Sequence, residues 1–137
     1  MSNPLALFNQ LASSLQQLNS LFNDAVSSFN NGDWVHLQNH LLDQQIVAGS
    51  ITKPGEIHHG IPDVIEYLQG SGGNFQPVGS PLTLPFAKFA NLNGIATWKD
   101  SDDKKGYLVV YEFQFVDRGE NQPKWRILRL FATSSLV

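Results

Sequence analysis

The 137-residue chain contains no cysteine, which excludes disulfide bonds, thiolate nucleophiles and cysteine-ligated metal sites. No apolar run approaches the roughly 20 residues that cross a bilayer, and the N-terminus does not resemble a signal peptide. Only 15% of the residues are charged, and the nine basic side chains, against twelve acidic ones, are scattered along the chain. Because phosphate backbones need a basic face, a nucleic-acid partner is not expected. We expect a cytoplasmic protein with no membrane association.

Large apolar side chains are plentiful. Hydrophobic residues make up 42% of the chain and aromatic residues 11%, including nine phenylalanines. This is enough apolar surface to close one core without covalent cross-links. A chain of this length has room for a single domain, which we expect to span residues 1–137.

The first thirty residues predict a long amphipathic helix that begins at Asn3-Pro4 and ends at Asn30-Asn31-Gly32. Its apolar residues recur at intervals of three and four, so we expect one continuous buried stripe: Phe8, Leu11, Leu15, Leu18, Phe22, Val26 and Phe29. Asp33 is the predicted cap of a second helix, which carries Trp34, Leu37, Leu41 and Leu42. A third helix is expected from Ile61 to Leu68.

Most of the remaining sequence is typical of strands. Two short strands are predicted within residues 46–59, around a turn at Lys53-Pro54-Gly55, and residues 70–74 are predicted to form a glycine-rich loop. Further strands are expected over residues 82–92, 94–99, 107–116 and 125–133, the third with a clear alternation of side chains. Pro85 confines its strand to an edge or a bulge. Helices followed by a meander of strands indicate an α+β fold, with N-terminal helices packed on a curved, mostly antiparallel sheet.

Four segments stand out in this order along the chain: Phe29–Trp34, Ile57–Ile65, Gly94–Trp98 and Lys124–Ile127. Together they resemble the nuclear transport factor 2-like superfamily, which includes ketosteroid isomerases and SnoaL-type polyketide cyclases. The resemblance spans most of the chain and implies a cone-shaped half-barrel with a small-molecule pocket. Because this fold supports enzymes, binding modules and adaptors, it does not by itself assign a function.

The resemblance implies no complete catalytic set. The general-base Asp of ketosteroid isomerases falls near Ala48 or Gly49, and neither residue can accept a proton. Their oxyanion-binding Tyr falls near Ala25 or Phe22, whereas their protonated Asp falls near Tyr111, which can donate a hydrogen bond.

Related enzymes of the same fold also lose essential groups in this sequence. The Asp-Arg-Asp relay of limonene-epoxide hydrolases would place its Arg near Asp100 and its last Asp near Arg129, so the relay is absent. SnoaL-type cyclases depend on an acid or base on the late strands, and Arg129 departs from that pattern as well.

Three residues are the catalytic candidates: His59, Tyr111 and Arg129. His58 and His59 are adjacent and would point to opposite faces of a strand, and His59 is preferred because it precedes Gly60. Arg129 shares a face with Trp125 and Ile127 by period-two counting unless a bulge intervenes. There it would either pair with an acid or bind an anionic ligand.

Three aromatic residues are the candidate ligand contacts, namely Trp98, Tyr107 and Trp125. Packing in the core or at a dimer face is the alternative for both tryptophans, and a core position is the alternative for Tyr111.

No cofactor or metal site is expected. His36 and His40 have a metal-binding spacing, but the predicted helix places them on its exposed side. The turn over residues 100–106 begins like a calcium loop, yet it lacks the required Gly and Glu, since Lys105 and Tyr111 stand at those positions.

Two functions remain open from the sequence. The first is binding of a small apolar or anionic molecule, with acid–base chemistry on a carbonyl or polyketide-like compound as its catalytic form. The second is a non-catalytic dimerisation or protein-interaction domain. A homodimer is expected in either case, because Leu108, Val110 and Val116 would form an apolar stripe on the outer face of the sheet.

Overall fold

A computed structural model describes residues 4–50, 55–71, 73–100 and 106–135 of the chain. The helices are α1 (Pro4–Asn31), α2 (Trp34–His36), which continues into a π-helical turn over Leu37–Leu41, and α3 (Ile61–Gly70). The strands are β1 (Leu42–Ser50), β2 (Ile57–His59), β3 (Gly73–Phe86), β4 (Phe89–Asp100), β5 (Gly106–Asp117) and β6 (Trp125–Ser135).

The strands form one six-stranded sheet in the order β2-β1-β6-β5-β4-β3. β1 runs parallel to β6, and every other neighbouring pair is antiparallel. The sheet does not close, since β2 and β3 lie at its two edges. The predicted α+β half-barrel is therefore confirmed.

The junction between α1 and α2 forms as the sequence predicted. Gly32 has a φ of 69°, the left-handed conformation in which helices commonly end. Its N–H donates to the carbonyl of Phe29 at 3.2 Å, and the N–H of Asp33 donates to the carbonyl of Ser28 at 2.8 Å. The Asp33 carboxylate then accepts from the backbone N–H of His36 and caps α2.

Only the C-terminal half of α1 packs against the sheet. Leu18 and Phe22 are fully buried, whereas Phe8 and Leu11 are 66% and 47% exposed, so the expectation of one continuous buried stripe is wrong for the first turns. The helix is longer than the part of the sheet on which it packs, and its hydrogen bonds to β3 come from its second half. Asn19 accepts a hydrogen bond from Thr83 at 3.2 Å, and Asn30 both donates to and accepts from the backbone of Phe75.

The segment after α2 differs from the sequence prediction. A second helix was expected to include Leu42, but a π-helical turn ends at Leu41 and β1 begins at Leu42, before the predicted strand start at Ile46. Leu37, Leu41 and Leu42 are all buried. The wider π-helical turn brings the chain into the sheet sooner than the predicted helix would.

The strand predicted over residues 82–92 is instead a hairpin. β3 and β4 meet at a turn over residues 87–88, and Phe86 pairs with Phe89 across it. β3 also begins at Gly73, within the predicted glycine-rich loop. The edge position that Pro85 predicted is confirmed, because β3 is the last strand of the sheet.

Two predicted turns cannot be compared in full, because residues 53–54 and 101–105 lie outside the described residues. Among the helices that the structure describes, none is long and apolar enough to span a bilayer.

The two faces of the sheet differ sharply. The inner face packs on α1 and forms the core around Phe22, Tyr111 and Phe115. The outer face exposes eight large apolar side chains, each between 41% and 61% exposed: Val78, Leu82, Leu84, Phe86, Phe89, Ile95, Leu108 and Val110. We call these residues the outer apolar face. Val116, predicted to belong to it, is only 3% exposed, because Phe89 and Arg126 flank it on the neighbouring strands.

Candidate functional site on the inner face of the sheet

A cavity of about 130 Å³ lies between the inner face of the sheet and the helices. Its floor includes Ala48, Tyr111 and Phe113, and α1 contributes Ala25 and Phe29 to its wall. The lining is almost wholly apolar, and none of the described residues that form it is charged. An engineered apolar cavity of about 150 Å³ binds benzene, so this cavity has the size and chemistry for one small ring.

Tyr111 supplies the main polar group of the floor. Its ring is 1% exposed and stacks on Phe22 with centroids 5.4 Å apart, and Phe75 meets it edge-on at 5.3 Å. The Tyr111 hydroxyl lies over the backbone of Gly94 on β4. Burial raises the pKa of this phenol, so the group is a neutral donor at physiological pH. A neutral phenol among apolar lining residues favours a ligand that offers one hydrogen-bond acceptor.

Aromatic side chains also line the half-buried entrance. Trp98 packs against Phe29 with ring centroids 5.4 Å apart. Tyr67 of α3 and Ser71, which caps the end of that helix, stand at the same entrance, where the Ser71 hydroxyl donates to the Tyr67 carbonyl at 2.8 Å. Burial is also the main cause that raises the pKa of Tyr67. The entrance therefore consists of rings and neutral hydroxyls.

The structure distinguishes the two adjacent histidines. His58 pairs with Ala48 and lies on the inner side of the sheet, whereas His59 pairs with Val47, points to the other side and is exposed. The His58 ring stacks on Tyr67 with centroids 4.4 Å apart, and its Nδ1 lies 3.0 Å from the Asp63 carboxylate. That hydrogen bond lowers the pKa of Asp63. His58, not the preferred candidate His59, is the histidine next to the cavity entrance.

Arg129 lies outside the cavity. The register of β5 and β6 shifts between Gln114 and Phe115, so that Ile127 and Arg129 occupy consecutive pairing positions and Leu128 is the extra residue. This bulge turns Arg129 to the outer face, where it is exposed, while Ile127 stays buried. His59, Tyr111 and Arg129 are consequently not brought together, and only Tyr111 lines the cavity.

Of the three candidate ligand contacts, Trp98 alone lines the cavity. Tyr107 pairs with Trp98 across β4 and β5 and is half-buried. Trp125 packs against the core, and its indole N–H is buried without a partner in the described structure. The alternative of core packing therefore describes Trp125 better than ligand contact.

Sequence reasoning missed the residues that position the two central rings. A Cβ on Gly73 would lie 2.6 Å from the Trp98 ring, and Gly94 occupies the corresponding position under Tyr111. A glycine inside a strand signals the close approach of another group, so both positions could have been recognised from the sequence.

No group of three potential ligands for a metal ion occurs among the described residues. His36, half of the histidine pair with metal-binding spacing, instead contacts the Asp24 carboxylate at 2.8 Å, and this hydrogen bond raises the pKa of His36. His40 stacks beside it with ring centroids 5.2 Å apart. The pair therefore belongs to the helix surface.

Comparison with solved structures identifies the fold. An NTF2-like protein with a cystatin-like fold from Novosphingobium aromaticivorans is 12% identical, with a TM-score of 0.76 over 98% of this chain and 91% of that one. An NTF2-like superfamily protein from Salmonella enterica is 12% identical, with a TM-score of 0.72 over 93% and 94% of the two chains. The chain has the nuclear transport factor 2-like, cystatin-like fold, and the resemblance seen in the sequence is confirmed at that level.

The descriptions of other structural neighbours name different functions. The CaMKII hub of S. rosetta is 11% identical, with a TM-score of 0.70 over 88% of this chain and 95% of the hub chain. Proteins described as scytalone dehydratase-like and ketosteroid isomerase-like also match. At such identities the similarity establishes the fold alone. No protein-family model matches the chain, and no curated protein matches it.

Proposed function

We propose that this protein binds a small, neutral ring compound with one hydrogen-bond acceptor, held in the inner cavity with the acceptor on the Tyr111 hydroxyl. The observation that carries this proposal is the phenol of Tyr111 on the floor of an almost wholly apolar cavity of about 130 Å³. Ligand sites are typically apolar concavities with a few polar groups that fix orientation. Cyclic ketones and aryl ketones have this chemistry.

The charge of the ligand decides how well it fits this cavity. The sequence left apolar and anionic molecules open, with Arg129 as the cation for an anion. Arg129 faces outward, and no charged residue lines the cavity in the part of the chain that the structure describes, so a carboxylate would be desolvated there without compensation. A neutral ligand is therefore the better fit.

Binding, not turnover, is the activity that the geometry supports best. None of the described residues that line the cavity is a carboxylate or an imidazole, and the Tyr111 phenol is held in its neutral form. His58 stacks on the Tyr67 ring and does not itself line the cavity. The compartment that we propose is the cytoplasm.

A matched pair of ligands tests the proposal. Acetophenone and ethylbenzene have similar shapes, but only acetophenone carries an acceptor. Calorimetric titration of the wild type should give tighter binding of acetophenone, and Tyr111→Phe should weaken it by about 2- to 10-fold, since a neutral hydrogen bond contributes about 0.5–1.5 kcal/mol. Ethylbenzene should bind both proteins equally. Equal affinities of the two ligands for the wild type would contradict the role of Tyr111, and no binding of either would contradict the cavity as the site.

We also propose that two chains associate through the outer apolar face, since a specific observation favours it. Eight large apolar side chains are exposed on this one side of the sheet, and monomeric proteins rarely expose such a contiguous patch. A second copy presents the same surface, so that a two-fold arrangement would cover both patches at once.

The edge of the sheet is less suited to association than its face. Three prolines lie along the edge strand β3, at positions 77, 81 and 85, and proline has no N–H to donate to an added strand. Side-chain packing of face on face is consequently the mode that we propose for the dimer.

A further inference from the structure

A second concavity lies at the opposite end of β1 and β6 from the entrance of the cavity. It is formed by residues 42–45 at the start of β1, by residues 38–39 of the π-helical turn, by Ile61 of α3, and by Arg118 and Lys124 of the loop between β5 and β6 together with Arg126 of β6. Its volume is about 560 Å³. We call this surface the basic groove. The sequence had shown the basic residues as scattered, but the fold gathers these three.

Arg118 is held in place by a buried carboxylate. Its Nε and Nη2 donate to the two oxygens of Asp43, each at 3.0 Å, and Nη2 also lies 3.4 Å from the side-chain oxygen of Gln45. The Asp43 side chain is only 7% exposed, and Arg118 is the main cause that lowers the pKa of its carboxyl. This two-point contact fixes the plane of the guanidinium. The remaining nitrogen, Nη1, makes no hydrogen bond to the described residues.

The other two cations complete a positive surface. Arg126 is half-buried, and its Nη1 lies 3.5 Å from the carbonyl of Asn39, while Lys124 is exposed at the rim. Asp43 is the only acidic residue among the groove lining that the structure describes. Asp117, which lies nearby, does not line the groove, and its Oδ1 accepts from the backbone N–H groups of Gly119 and Lys124. Three cations therefore line the groove, against one carboxylate, Asp43, which is already paired with Arg118.

Neutral polar groups occupy much of the remaining lining. Four residues with side-chain amides are among those that line the groove, Gln38, Asn39, Gln44 and Gln45, and an amide can donate to and accept from hydroxyl groups. A single inorganic ion would leave most of this space and most of these amides unused. A nucleic-acid strand is disfavoured because the whole chain carries a net charge of −3.

From this arrangement we propose that the basic groove is a second binding site, which accepts a phosphorylated polyol such as a pentose phosphate. Arg118 and Arg126 bind the phosphate, because guanidinium groups match phosphate oxygens in charge and geometry. The amides bind the sugar hydroxyls. The site is independent of the apolar cavity, since the two share no lining residue.

Titration of the full chain with ribose 5-phosphate, ribose and inorganic phosphate tests this site, followed by calorimetry or by amide chemical shifts. We expect ribose 5-phosphate to bind more tightly than either fragment. Arg126→Gln should weaken its binding by about 10- to 100-fold, the usual loss for a charge-assisted hydrogen bond. Arg126 is the better target than Arg118, because loss of Arg118 would leave Asp43 buried and unpaired.

Lys99→Gln is the matched control, because Lys99 is an exposed cation on β4, away from the groove, and its loss should leave the affinity unchanged. Circular dichroism confirms that each variant is folded. An unchanged affinity in Arg126→Gln, an equal loss in Lys99→Gln, or no saturable binding of ribose 5-phosphate at millimolar concentration overturns the proposal. Inorganic phosphate that binds as tightly as ribose 5-phosphate overturns the assignment to a polyol.

Discussion

The Tyr111 ring lies directly across the backbone of Gly94, its pairing partner on β4, so that a Cβ on residue 94 would be 2.6 Å from Cζ of the tyrosine. No side chain other than hydrogen fits beneath the ring. Gly94 therefore fixes how deeply Tyr111 sits in the sheet and, with it, the depth of the cavity floor.

Gly94→Ala should displace Tyr111 from this position. The added methyl group forces the ring toward the cavity, which should cost about 1–3 kcal/mol of unfolding free energy, as overpacking usually does, and abolish acetophenone binding. Gly106→Ala is the control, because a Cβ on residue 106 meets nothing within 4 Å. Chemical denaturation and calorimetry measure the two effects. Wild-type affinity in Gly94→Ala would show that the Tyr111 position does not define the site.

Two phenylalanines on α1 should respond in opposite ways to truncation. Phe22 is 1% exposed and Phe8 is 66% exposed. Phe22→Ala should therefore lower the unfolding free energy by about 3–5 kcal/mol, whereas Phe8→Ala should change it by no more than about 0.5 kcal/mol. Urea unfolding of both variants gives the comparison. A large loss of unfolding free energy in Phe8→Ala would contradict the exposed position of the first turns of α1.

A charge on the outer apolar face should separate the proposed dimer. Val110→Asp introduces a carboxylate at a position that is 46% exposed in the single chain but would be buried between two copies. Light scattering should give about twice the chain mass of 15.2 kDa for the wild type and the single mass for this variant. Val35→Asp, at an exposed site on α2, should remain dimeric. A monomeric wild type at micromolar concentration would end the dimer proposal.

The ion pair of Asp43 and Arg118 predicts a specific pH dependence. Because the pKa of Asp43 is lowered in the folded state, ionised Asp43 stabilises the fold at neutral pH, and this contribution is lost as the pH falls below about 4, through the folded-state pKa. The melting temperature of Asp43→Asn should thus lie below that of the wild type at pH 7, and the gap should narrow toward pH 3. Thermal melts across this range measure it. A difference in melting temperature that stays constant with pH would show that ionisation of Asp43 does not contribute to stability.

Much of the fold followed from local signals in the sequence. The Asn-Gly stop of α1, the Asp33 cap and the alternation along β5 were correct because each depends on neighbouring residues. The expectation that the apolar stripe of α1 is buried along its whole length was wrong for the first turns, since burial there depends on where the sheet ends. No periodicity within the helix distinguishes exposed Phe8 from buried Phe22.

The facing of the candidate site residues was also only partly predictable from local sequence. Tyr111 was correctly placed on the inner face by alternation. The facing of Arg129 depends on a single bulge at Leu128, and a shift of one residue moves a side chain to the opposite face. The choice between His58 and His59 likewise depends on the register of β2 against β1. Register is a property of strand pairing, which the sequence of either strand alone does not specify.

The most direct test of the central claim is where a bound ligand sits. Nuclear Overhauser contacts between the ring protons of acetophenone and the protein methyl groups report this at atomic range. If acetophenone binds in the cavity, its ring protons should contact Ala48 and Ala132, which line it, and not Ile95 or Val110 of the outer apolar face. Contacts to Ile95 and Val110, with none to Ala48 and Ala132, would contradict it.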